Sequence, residues 1–330
     1  MNRKEQIDSA ACHGNRLILV WIVRSIALLC LLLDTAGAQT VKSTAAPSNA
    51  KPRMFATPQQ AADALIDAAE KFDVAALEDI FGPEGRDIIR TGEDVQDREQ
   101  ARAFAAQARK KKSVALDRRN RNLAFLSIGQ DDWPFPVPLI KRGGKWSFDA
   151  KRGRQEILFR RIGRNELDVI ELCRGFVEAQ HEYALMKRDR SGVNQYAQRL
   201  ISTPGKQDGL SWQLGDGTWG GPAGEEVARA IARGYTGKGE PFHGYFFKVL
   251  KGQGPAAPPG EMYFLVKDVM IGGFALVASP AQYGVTGIMS FIVSHDGVVY
   301  EKDLGPNTLT SFRKMELFNP DKTWSPVEEP

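Results

Sequence analysis

Apolar residues first recur at helical spacing near residue 60. Ala61, Ala64, Leu65 and Ala68 share one helix face. Thr57-Pro58 supplies the start, a hydroxyl to cap the first turn and a proline that fits the first helical position. Val74, Leu77 and Ile80 predict a second, short helix that stops at Gly82-Pro83. A third is expected from about Asp97 to Lys110. From Val114 the pattern changes to short extended stretches at Leu123–Ile128, Val137–Lys141 and Lys145–Phe148, the last two joined by a Gly143-Gly144 turn. Helices followed by a curled antiparallel sheet predict an α+β domain.

The order then repeats. Asn165 to about Arg188 combines an apolar stripe (Leu167, Ile170, Phe176, Val177, Ala179, Tyr183) with a charged face, and Asn194–Ile201 reads as a further helical piece. Thr203–Pro222 is dense in Gly, Asp and Trp and reads as a long irregular segment, with a helix expected over Glu225–Ala232. Tyr245–Leu250, Met262–Val266, Phe274–Ala278, Ile288–Val293 and Val298–Lys302 are short, β-branched or aromatic, and separated by turn residues. They predict an antiparallel meander, with His295-Asp296-Gly297 as one hairpin turn. The expected organisation is α+β throughout: a first domain over 54–160, a second over 161–318 and a loose polar tail over 319–330.

The amino end has its own pattern. Arg3, Lys4, Arg16 and Arg24 precede an apolar run from Ser25 to Leu33, and Ala36-Gly37-Ala38 follows. Positive charge, apolar run and small-residue cleavage site, in that order, make residues 1–38 an expected secretory signal peptide. The run is shorter than the roughly 20 residues of a transmembrane helix. Extending it back to Leu17 places Arg24 in its middle, at a cost. A retained amino-terminal anchor is the alternative. Cys30 lacks a lipoprotein box, because Leu28 and Leu29 stand in the wrong positions. Residues 39–53, rich in Ser, Thr, Ala and Pro, read as a disordered linker. The expected location is periplasmic or secreted, with no stable membrane span once the signal is cleaved.

Composition adds little. The chain has 330 residues, 42% of them apolar and 25% charged, as in ordinary globular proteins. Its net charge is +4, and removal of residues 1–38, with four basic and three acidic groups, leaves about +3. That is too weak to predict a nucleic-acid partner. Of three cysteines, only Cys173 lies beyond residue 38, so no internal disulfide is expected, and its helical apolar setting predicts a buried structural thiol.

A family resemblance rests on several stretches: Trp146-Ser147-Phe148-Asp149, Arg160 to Leu167, Met270-Ile271-Gly272-Gly273-Phe274-Ala275-Leu276-Val277-Ala278, Tyr283 to Val293, and His295-Asp296-Gly297 through Pro306. In these the chain resembles the bacterial domain-of-unknown-function family 2950, from about Phe55 to Phe318. The resemblance implies an exported bacterial protein and carries no catalytic residues. At fold level the first domain is similar to the nuclear-transport-factor-like cone. The second is similar to the head of type IV pilins, although its helix is internal and amphipathic rather than amino-terminal and apolar. Fold analogy alone does not establish function.

Candidate chemistry is sparse. His181-Glu182 begins a zinc-protease motif, but position 185 is Leu, so the second ligand is missing. His181, His243 and His295 are far apart in sequence, no metal or cofactor is expected, and His295 reads as a surface turn residue. Asp208, Asp216, Glu225 and Glu226 lack the alternate spacing of a calcium loop. Asp208 and Asp216 with Trp212 and Trp219 form a candidate ligand site, since tryptophans can stack on sugar rings and long loops are often functional. Arg109, Lys110, Lys111 and Lys112, with Arg118, Arg119 and Arg121, form a basic patch, and Arg152, Arg154, Arg160, Arg161 and Arg164 a second group. Such patches suit an anionic envelope polymer or lipid headgroup, or simply favour a helix carboxyl end. Ser290 sits in a strand without a nucleophile elbow. The expected function is non-enzymatic binding or assembly in the cell envelope, with an envelope protein or an anionic or glycan polymer as partner. Two alternatives stand beside it: an envelope hydrolase or glycan-active enzyme using segment 203–222, and an accessory protein of pilus or secretion machinery.

Overall fold

The computed structural model describes residues 51–90, 94–188, 192–223, 241–258 and 260–328. The expected signal peptide, most of the expected linker and the helix expected over Glu225–Ala232 lie outside them. The chain divides into two compact units, one up to Phe159 and one from Arg160 onward. Both combine helices with antiparallel sheet, so the fold is α+β.

Unit 1 opens with helices α1 (Pro58–Lys71), α2 (Val74–Phe81), α3 (Arg86–Ile89) and α4 (Asp94–Lys110). Thr57 Oγ1 accepts the Gln60 N–H at 3.1 Å and Asp73 Oδ1 the Ala76 N–H at 3.0 Å, so α1 and α2 are capped at their starts. Strands β1 (Lys112–Leu116), β2 (Leu123–Ile128), β3 (Trp133–Pro134), β4 (Leu139–Arg142) and β5 (Lys145–Phe148) follow. The sheet runs β1-β2-β4-β5 with β3 also on β2, all antiparallel. β2 alternates as a half-buried strand should, with Ala124, Leu126 and Ile128 inward. These meet Leu65, Ile66, Leu77 and Phe81 in one core, where the Phe81 and Phe148 rings stand 5.3 Å apart. Each large buried side chain contributes about 1.5–3 kcal/mol. β1 is not among the expected strands. Its residues are largely exposed on both faces, so it has no alternation to detect, and its ladder with β2 from Lys112↔Ile128 to Leu116↔Ala124 defines it.

Helix α5 (Ala150–Tyr183) begins in unit 1 and gives its residues from Arg160 on to unit 2. It starts well before the expected Asn165. Asp149 accepts the Arg152 N–H at 3.1 Å at its start, and the charged turns up to Arg164 carry too little apolar periodicity to announce a helix. Strands β6 (Arg199–Ile201), β7 (Gly209–Gln213) and β8 (Trp219–Gly220) come next. Both expectations for this region are overturned. Residues 194–201 are not helical, because the buried Gln180 amide takes the Ala197 N–H (2.7 Å) and carbonyl (2.8 Å) as a neighbouring strand would. The Gly-rich segment is a small sheet in the order β6-β7-β8. Gly209 is needed there, since a Cβ would lie 2.7 Å from the Ser202 nitrogen.

The remaining elements are β9 (Tyr245–Leu250), β10 (Gly252–Gln253), β11 (Met262–Tyr263), β12 (Leu265–Val266), β13 (Val269–Met270), β14 (Ala275–Pro280), β15 (Met289–Ser294), β16 (Val299–Asp303), helix α6 (Thr308–Lys314), β17 (Leu317–Phe318) and β18 (Ser325–Pro326). The main sheet has the order β18-β16-β15-β14-β9, antiparallel throughout. Every residue of β14, an interior strand, is buried, which explains its largely apolar run. Register puts Phe247, Leu276, Ala278 and Phe291 on one face and Ser279, Ser290 and Ile292 on the other. The first face shares a core with Cys173, Phe176 and Val177 of α5. On the second, Thr308 of α6 hydrogen-bonds to Ser279 (3.2 Å) and Ser290 (2.9 Å), so Ser290 is structural. The tail expected to be loose is ordered up to residue 328: β18 pairs with β16, Val327 N–H donates to the Val299 carbonyl, and Lys302 lies over the Trp324 ring. An open sheet edge supplied the partners that its composition did not reveal.

Candidate functional site

Unit 2 holds a cavity of about 400 Å³ along α5. Its floor is apolar, built from Phe176 of α5, Leu200, Leu210 of β7, Phe247 of β9 and Leu276 of β14. Pro222 and Ala223 complete one wall, held by the Ala223 N–H donating to the Leu210 carbonyl at 3.2 Å. Glu171, Gly175, Glu178 and Glu182 also line it. Their spacing of four, three and four puts all of them on one face of α5. The three carboxylates are exposed and, among the described residues, make no hydrogen bond or ion pair. Among the described residues, no Lys, Arg, His, Ser or Cys lines the cavity. An apolar pocket of this size with a few polar groups at its border is of the kind that binds small molecules.

Sequence reasoning did not find these glutamates. A charged stripe on a long helix reads as a solvated face. Only the β6–β7 wall standing opposite turns it into a rim. The one available signal is Gly175 within the stripe, at a place where a Cβ would meet nothing within 4 Å.

The expected ligand residues lie elsewhere in unit 2 and do not converge. Asp208 accepts the Thr203 N–H (2.7 Å) and hydroxyl (2.8 Å). Asp216 accepts the Thr218 hydroxyl (2.6 Å) and N–H (2.9 Å), which hold its carboxyl below the usual range. Each carboxylate thus secures its own turn. Trp212 stands opposite Gly220 and Gln213 opposite Trp219, so the two tryptophans project from opposite faces of the β7–β8 hairpin. The Arg188 guanidinium already lies 4.9 Å from the Trp212 ring.

The basic patch of unit 1 is partly neutralised. Arg109 pairs with Asp67 and Glu70 of α1, Lys111 with Asp132 at 2.7 Å, and Lys112 with Asp63. Lys110, Arg118 and Arg119 are exposed and have no ion pair among the described residues.

The histidines are separate. His243 Nδ1 lies 2.7 Å from Asp168 Oδ2. His181 and His295 both meet the Phe274 ring edge-on, at 5.5 and 6.2 Å. His295 is not a surface turn residue: it packs on Phe264 as well, and its Nδ1 is buried without a partner. The described residues include no group of three or more His, Cys, Asp or Glu able to hold a metal. Cys173 is fully buried, and burial pushes its thiol up to about 12.

Several residues behind the family resemblance meet along the middle of α5, near its unit 2 start. Glu166 Oε1 accepts the Ile288 (2.8 Å) and Met289 (3.0 Å) N–H groups, Asn165 donates to the Thr286 carbonyl (2.8 Å), and Arg161 to that of Val285 (3.2 Å). Tyr245 donates to the Met289 carbonyl at 2.9 Å, and burial, then Glu166, raises its phenol. Every one of these hydrogen bonds ends on backbone, so the motif residues clamp the loop before β15 to the helix.

No curated protein and no solved structure matches the chain. A family model described as "Protein of unknown function (DUF2950)" matches residues 52–327. That span includes both units' cores, the α5–loop clamp and the cavity. The chain therefore belongs to the DUF2950 family.

Proposed function

We propose that this is a non-enzymatic binding protein of the bacterial cell envelope, and that the cavity along α5 is where it binds. The observation that carries this reading is the composition of the lining: an apolar floor, three unpaired carboxylates and, among the described residues, no nucleophile. A carboxylate pair for glycoside hydrolysis must flank the scissile bond. Glu171, Glu178 and Glu182 all stand on one wall, and the described residues of the facing wall are apolar. Asp208 and Asp216 are tied to their own turns, which weakens the alternative of an enzyme in segment 203–222. His243 has Asp168 to orient it, but no Ser, Thr or Cys side chain among the described residues hydrogen-bonds to it. The envelope location rests on residues 1–38, and no helix among the described residues is long and apolar enough to cross a membrane. The likeness of unit 2 to a pilin head expected from the sequence is an analogy of fold and carries no argument for an assembly role.

Hydrogen exchange of the purified protein, with and without a detergent extract of its host's envelopes, tests the reading. Binding in the cavity slows exchange in α5 between Glu171 and Tyr183. Unchanged exchange there, with protection elsewhere, would remove the cavity from the function. Turnover of an envelope substrate that a single substitution abolishes would replace binding by catalysis.

A further inference from the structure

Gly175 is the least expected residue of the cavity. In a helix interior Gly is markedly less favourable than Ala. Close packing does not explain it, because a Cβ there would meet nothing within 4 Å. Glycine instead leaves the mouth open between Glu171 and Glu178. Three uncompensated carboxylates then stand above a floor of Phe176, Leu210, Phe247 and Leu276. Among the described residues the lining carries three carboxylates and no basic side chain, a charge that favours a cation over an anion. A purely apolar ligand would leave the carboxylates unused.

We propose that this cavity binds an amphipathic organic cation: an ammonium or guanidinium group held at the glutamate rim, with its apolar body on the aromatic and aliphatic floor. The proposal rests on the cavity being the binding site and adds the class of ligand. Charge complementarity selects the head group, and burial of the body supplies most of the affinity. The rim is exposed, so the carboxylates contribute modestly and set preference more than affinity, and the head-group preference falls with salt.

Calorimetric titration of the purified protein with octylammonium, octanol and octanoate provides the test. At low salt octylammonium is expected to bind about tenfold more tightly than octanol, and octanoate most weakly. Glu178→Gln combined with Glu182→Gln should bring octylammonium close to octanol and leave octanol unmoved. Gly175→Leu, which places a side chain in open space at the mouth, should weaken every probe while the protein stays folded. Equal binding of octylammonium and octanol, or a preference for octanoate, overturns the cationic ligand and leaves the cavity as a binding site. Binding that Gly175→Leu does not change places the probes elsewhere and overturns the proposal. If no probe binds folded protein, the cavity reading fails along with the ligand class.

Discussion

Gly287 sits where a side chain has no room: a Cβ would stand 2.0 Å from Tyr245 Oη and 2.5 Å from Cζ. Tyr245 cannot yield, since its ring is fully buried and its hydroxyl donates to Met289. Gly287→Ala is therefore expected to cost about 3 kcal/mol or more, read as a lower urea midpoint. A change within 0.5 kcal/mol, roughly that of a neutral surface site, would mean the loop moves freely. Glu301 has a different problem. Burial, and then the Glu166 charge, raise its carboxyl above the usual value. A group raised on folding stabilises in its protonated form, and that contribution is lost as pH rises through its folded-state value. Glu301→Gln should therefore increase stability at pH 7 and have little effect at pH 4, measured as melting temperature at each pH. An increase at pH 4 that vanishes at pH 7 would reverse the assigned sign.

At the scale of elements, α5 carries two kinds of work along its length. Near its unit 2 start, Arg161, Asn165 and Glu166 hold the backbone of residues 285–289. Further on, Glu171, Gly175, Glu178 and Glu182 border the cavity. The first function is structural and the second is proposed to be recognition, so they should separate by mutation. Glu166→Ala leaves two N–H groups without their acceptor and should cost about 2–3 kcal/mol. Glu166→Gln retains a carbonyl oxygen and should lose less. Denaturant unfolding of both variants decides this, and equal losses would show that the charge rather than the acceptor matters. Neither change should alter octylammonium affinity in the folded protein.

The described residues form two cores that share no residue, one from Phe55 to Ala150 and one from Val169 to Phe318. Each has its own sheet, while helix α5 gives Ala150 to the first core and its residues from Val169 on to the second. Separate cores can melt separately, and the two-state approximation fails for such chains. Scanning calorimetry should give a calorimetric enthalpy larger than the van't Hoff enthalpy. Equality of the two would show that the units unfold as one. For the amino end, the expected signal predicts that protein recovered from the host envelope begins at Gln39. Recovery of an intact Met1 end by mass spectrometry would remove the support for cleavage.

Local pattern determined much of this protein before any tertiary contact. The caps at Thr57 and Asp73, the alternation of β2, the apolar run of β14 and the turn at Asp296-Gly297 depend on neighbours in sequence. So do the α+β class and the family stretches. The exposed β1, the strands around Gly209, the extended path at Ala197 and the pairing of Ser325–Pro326 depend on partners supplied from elsewhere in the chain. The same holds for the cavity. Glutamates at 171, 178 and 182 look like any solvated helix face until Leu200, Leu210 and Pro222 stand across from them. Hydrophobic periodicity reports which side of an element is buried, and only the packing of elements distant in sequence decides whether a polar side faces water or a pocket.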